Sequence, residues 1–73
     1  MLSLYKNIKA RRKQLNITQS ELAEAVGYTD KAMISMIEHG KIDLPYSKIV
    51  AIAKALSVSP GDLLGDDGTK GRG

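Results

Sequence analysis

Apolar residues recur at helical spacing in several short stretches of this 73-residue chain, and none of the stretches alternates in the manner of a strand. Leu4, Ile8 and Leu15, together with the stem of Arg11 or Arg12, predict a first helix from Leu4 to about Leu15. Ser3 is its candidate cap, and Asn16 suits the left-handed turn that ends it. Thr18 and Glu21 stand at capping-box spacing. The Thr hydroxyl accepts from the third helical N–H while the Glu reaches back. Leu22, Ala23 and Val26 then give a second helix from Thr18 to Val26, and Gly27 stops it. Thr29 or Asp30 caps a third helix, Asp30 to His39, whose Ile34 and Ile37 face inward with Met33 at their edge. Gly40 ends that helix, and a loop follows from Gly40 to Tyr46, in which Pro45 bars helix continuation. Ile49, Ile52, Ala53 and Leu56 show the clearest periodicity and predict a fourth helix, Ser47 to Leu56. Ser59 caps a last short helix with Pro60 at its first position and Asp62 in its first turn. Leu63 and Leu64 close the core, and Gly65 stops the helix.

The expected fold class is therefore all-α: five helices in one domain over residues 1–65. Residues 66–73 read D-D-G-T-K-G-R-G, with no apolar side chain, and predict a disordered tail or the start of a linker. Helices this short are marginal alone and must pack on one another. The second and third, separated by a glycine-containing turn, have the form of a helix-turn-helix.

These residues carry a family likeness. T-Q-x-x-L-A from Thr18, then Gly27, then I-S-x-I-E-x-G from Ile34 to Gly40, then Pro45, resemble the DNA-binding domains of lambda-type phage repressors and Cro-like regulators, the xenobiotic-response-element group. The likeness covers Leu4 to Gly65. Between Gly27 and Ile34 there is one residue more than in the commonest members, which is similar to a longer-turn subgroup of Gram-positive phage and mobile-element repressors.

The resemblance implies a sequence-specific regulator of double-stranded DNA, a repressor, with the third helix in the major groove. It also implies a homodimer on an inverted repeat, in a bacterial or phage-encoded cytoplasmic protein. In that frame Lys31, Ala32, Ser35 and Met36 face bases. Lys31 suits guanine O6 or N7, Ser35 suits several base edges, and Ala32 suits a thymine methyl. Met36 either packs on thymine methyls or fills a gap in the fold. Gln19, Lys41, Tyr46, Ser47 and Lys48 match backbone-contacting places, and Arg12 and Glu38 match a pair joining the first and third helices; His39, read from the sequence itself, is expected to be exposed and near phosphate. Gln19 also stands at a helix N-terminus, where unpaired N–H groups favour phosphate.

Charge modifies this picture. The net charge is +3, but the basic excess sits in Lys6, Lys9, Arg11, Arg12 and Lys13, ahead of the helix-turn-helix. From 18 to 41 the acids Glu21, Glu24, Asp30 and Glu38 outnumber Lys31 and Lys41. Lys6, Lys9 and Lys13 read as a solvated face with some reach toward phosphate. There is no cysteine, so no disulfide or thiolate metal site is available, and the lone His39 has no ligand partners. No cofactor is expected. No nucleophile stands beside a base, and no GxxxxGK phosphate loop is present, which excludes the common enzyme readings. Charges interrupt every apolar run well short of the roughly 20 residues of a membrane span, and no signal peptide is expected. A second class of function stays open: an antitoxin-type module that binds a protein partner and represses its own gene.

Overall fold

A computed structural model describes residues 2–65 as five helices: α1 (Leu2–Gln14), α2 (Gln19–Ala25), α3 (Lys31–Glu38), α4 (Tyr46–Ala55) and α5 (Pro60–Leu64). Residues 66–73, where the tail was expected, lie outside the described residues. The helix ends follow the cap residues closely. Thr18 Oγ1 accepts from Glu21 N at 3.0 Å while Glu21 Oε1 accepts from Thr18 N at 2.8 Å. Asp30, rather than Thr29, caps α3 by accepting from Ala32 N at 2.9 Å. Ser59 and Asp62 form a second capping box on α5.

Four of the five helices end in the same way, through a residue at positive φ: Asn16 (58°), Gly27 (88°), Gly40 (71°) and Ser57 (60°). In each case the next N–H reaches back to a carbonyl five residues earlier, as in Tyr28 N to Ala23 O at 2.8 Å and Lys41 N to Met36 O at 2.9 Å. Asn and Gly enter this conformation readily, which is why three of the turns are visible in the residue types. Ser57 is not such a residue, and its left-handed backbone costs about 1–2 kcal/mol relative to an unstrained position. Ser57→Gly is therefore expected to raise stability by about 0.5–1 kcal/mol, the relieved strain less the extra chain entropy of glycine. Urea denaturation measures it, and a destabilised variant would show that the Ser57 side chain holds the turn.

The core joins all five helices. Ile8, Ile34, Ile37, Ile52 and Leu56 are fully buried, with Leu4, Leu22, Ala23, Val26, Ile49, Ala53 and Leu63 around them. Three expectations change. Ser3 lies within α1 instead of capping it, because the helix starts at Leu2. Tyr46 already belongs to α4, since Pro45 itself takes the cap position with an extended backbone. Leu64 is 45% exposed and does not close the core, because α5 is one turn long and turns only Leu63 inward.

Polar side chains of α1 satisfy the carbonyls that the later helices leave unpaired. Asn7 Nδ2 donates to Leu63 O at 2.8 Å and to Gly65 O at 3.0 Å. Arg11 Nε donates to Leu56 O at 3.0 Å, at the end of α4. Part of the basic excess of α1 thus holds the fold together by capping helix C-termini, where positive charge also complements the helix dipole.

Candidate nucleic-acid interface

The helix-turn-helix is built on α2 and α3, and a buried ionic cluster fixes α3 to the rest. Arg12 Nε donates to Glu38 Oε2 at 2.6 Å and Nη2 donates to Oε1 at 3.1 Å, a two-pronged pair. The Glu38 side chain is 2% exposed and that of Arg12 10%. Arg12 Nη1 also donates to Ile17 O at 2.9 Å, and Gln19 Nε2 donates to Glu38 Oε1 at 3.2 Å. One carboxylate therefore draws together α1, the α1–α2 connection, the start of α2 and the end of α3. The pairing of Arg12 with Glu38 is the one expected, but it is not a surface pair worth a fraction of a kcal/mol. It is buried, and its carboxylate accepts from three side-chain N–H donors.

On α3 the side chains divide cleanly. Ile34 and Ile37 point into the core, while Lys31, Ala32 and Met36 are exposed and Ser35 is half-buried between them. Met33 is half-buried at the edge, as its spacing suggested. An open cleft of 370 Å³ is lined by Arg12, Thr18, Gln19, Ser20 and Lys31. It brings the first turn of α2 beside the first residue of α3. Gln19 and Lys31, expected respectively at backbone and base, thus share one concavity. Thr18 and Ser20 join them; Thr18 stands out in the sequence as a helix cap, and the only signal for Ser20 is adjacency to Gln19.

The other candidate residues spread along the same region. His39 is exposed at the far end of α3, with Nδ1 2.7 Å from Ser35 O. A smaller hollow of 160 Å³ holds His39 with Tyr5, Lys6, Glu38 and Gly40. The sequence places Lys6 on a solvated face with some reach toward phosphate, and its approach to His39 follows from the packing of α1 on α3. Lys41 is exposed just after Gly40. Its loop is held by Tyr5, whose hydroxyl donates to Ile42 O at 3.2 Å and whose ring lies 3.4 Å from where a Cβ on Gly40 would sit. Tyr46 (62% exposed) and Ser47 stand on the first turn of α4, outside both hollows. Lys48 departs from the outward contact expected of it. Its Nζ donates to Val26 O at 3.1 Å and lies 4.8 Å over the Tyr28 ring, so its charge is engaged at the C-terminus of α2.

A helix-turn-helix family model matches residues 8–63, which spans all five helices from the second turn of α1. The chain belongs to the lambda-repressor/Cro-like helix-turn-helix family. Curated proteins and solved structures yielded no match. Members of this helix-turn-helix family are DNA-binding transcription regulators and not typically enzymes, and the arrangement of α2 and α3 here is that of a DNA-binding unit. Among the described residues, no helix is long and apolar enough to cross a membrane, and no group of three His, Asp or Glu side chains stands ready for a metal ion.

Proposed function

We propose that this helix-turn-helix protein is a cytoplasmic, sequence-specific repressor that pairs on an inverted repeat of double-stranded DNA. The observation that carries the reading is the outer face of α3. Its exposed residues Lys31, Ala32 and Met36, with Ser35, form a continuous surface whose rear is locked by Ile34, Ile37 and the Arg12–Glu38–Gln19 cluster. A recognition helix inserts such a surface, N-terminal residues first, into the major groove. Lys31 donates to a guanine edge and Ser35 to a neighbouring base. Ser20 and Gln19, at the cleft mouth, with Lys41, His39, Tyr46 and Ser47, lie along the phosphates and set the position. Lys48 contributes only by holding α2 to α4.

The test is selection of duplexes from a random pool by the purified protein at two salt concentrations. Enrichment of an inverted repeat with half-sites about one DNA turn apart supports the reading. Binding without enrichment that vanishes at moderate salt would reduce it to backbone attraction alone. It would turn the search to a protein partner of the antitoxin kind. On the enriched site, Lys31→Ala is expected to cost about 1–3 kcal/mol of binding and to relax preference at one base pair. An unchanged preference profile in a repeat selection would remove Lys31 from the reading face.

A further inference from the structure

Ala32 and Met36 lie one helical turn apart and share a flank of α3, while Lys31 and Ser35 share the adjoining one. Met36 is 39% exposed, although Ile34 and Ile37 beside it are fully buried. The core is therefore complete without Met36, and the flank runs on to the half-buried Met33. Neither Ala32 nor Met36 offers a strong hydrogen-bonding group. The major-groove edges of the four bases carry one apolar feature, the C5-methyl group of thymine. A flexible, polarizable thioether suits such a small protruding group.

We propose that this flank reads C5-methyl groups, with Ala32 and Met36 each packing on one methyl in a half-site. The inference rests on the repressor reading above and specifies how that surface chooses its sequence. It has a chemical corollary. Two apolar side chains sense the methyl and not the exocyclic group beside it. 5-Methylcytosine therefore substitutes for thymine at these base pairs, whereas uracil and plain cytosine do not. Cytosine methylation then strengthens binding at sites that the unmodified duplex holds more weakly.

The test starts from the duplex enriched by selection and replaces each thymine in turn with uracil. Two positions per half-site are expected to lose about four-fold in affinity per methyl removed, the value of burying one such group. At those two positions, 5-methylcytosine opposite guanine is expected to bind about four-fold better than cytosine opposite guanine. With Met36→Ala, one of the two uracil effects should vanish while the other persists. Met36 is exposed, so this variant keeps its fold. Uniform indifference to uracil in an enriched operator would overturn the methyl reading and leave the repressor reading standing. So would a uracil effect that survives Met36→Ala at every position. Failure to enrich any sequence would remove the operator reading itself. A protein that captures Met36 in place of DNA would show as a face protected by that partner, with no uracil effect.

Discussion

Arg12→Ala is expected to lower the unfolding free energy by about 3–5 kcal/mol, although it removes no residue of the apolar core. The loss comes from what stays behind. The Glu38 carboxylate is 2% exposed, and without the guanidinium it keeps only the Gln19 amide at 3.2 Å among its side-chain donors. The carbonyl of Ile17 loses its donor as well. An ionised carboxylate left in that position must be desolvated without compensation. A domain of this size has a total stability on the order of 4–11 kcal/mol, so the single change takes it close to unfolding. The paired replacement Arg12→Met with Glu38→Leu is expected to regain most of the loss, because it removes both charges and keeps the volume. Urea denaturation of the unaltered protein and the two variants gives the comparison. A loss below about 1 kcal/mol for Arg12→Ala would mean that the pair behaves as a solvated surface pair. The double variant also separates stability from function. It retains the packing but frees Gln19, so weaker operator binding by a stable double variant would assign the cluster a positioning role at the α2 N-terminus.

Ile34→Ala is expected to cost about 2–5 kcal/mol, by lost burial and by the cavity it leaves. Ile34 is fully buried among residues from the other helices, and α3 is only eight residues long, so little of it can relax into the space. Its neighbour two positions on provides the control. Met36→Ala removes a comparable side chain from the exposed flank and is expected to change stability by less than about 1 kcal/mol. Thermal or urea unfolding of the two proteins therefore reads the orientation of α3 directly. A barely altered transition for Ile34→Ala would turn that residue outward and would exchange the reading face of α3 for its core face.

Much of this arrangement was legible in the residues because local chemistry governs helix ends. Thr18, Asp30 and Ser59 carry the short side-chain oxygens that cap a first turn, and Asn16, Gly27 and Gly40 enter the left-handed region cheaply. The inward positions of α4 followed from spacing alone, since Ile49, Ile52, Ala53 and Leu56 recur with the helical period and all are buried. The pairing of Arg12 with Glu38 came from likeness to a family, not from any periodicity. The membership of the chain in the helix-turn-helix family rests on residues spread over 8–63, which together carry more information than any single turn.

Other features depend on contacts between residues far apart in the chain. Ser57 takes a left-handed backbone that its residue type disfavours, because the packing of α4 and α5 requires a tight turn there. Arg11 belongs to the basic excess of the first helix, and Lys48 matches a backbone-contacting place of the family. In the fold one donates to Leu56 O and the other to Val26 O, because each lies opposite a helix end with an unpaired carbonyl. Glu38 is buried only because α1 and the start of α2 close over the end of α3 and bring donors with them. Leu64 is apolar yet exposed, since a one-turn helix can face only one of two adjacent leucines inward. Local propensity and period thus placed the helices and most of the core. The assignment of each charge to solvent, to a buried partner or to a helix end was set when the helices met, because desolvation and donor geometry exist only after separate segments come together.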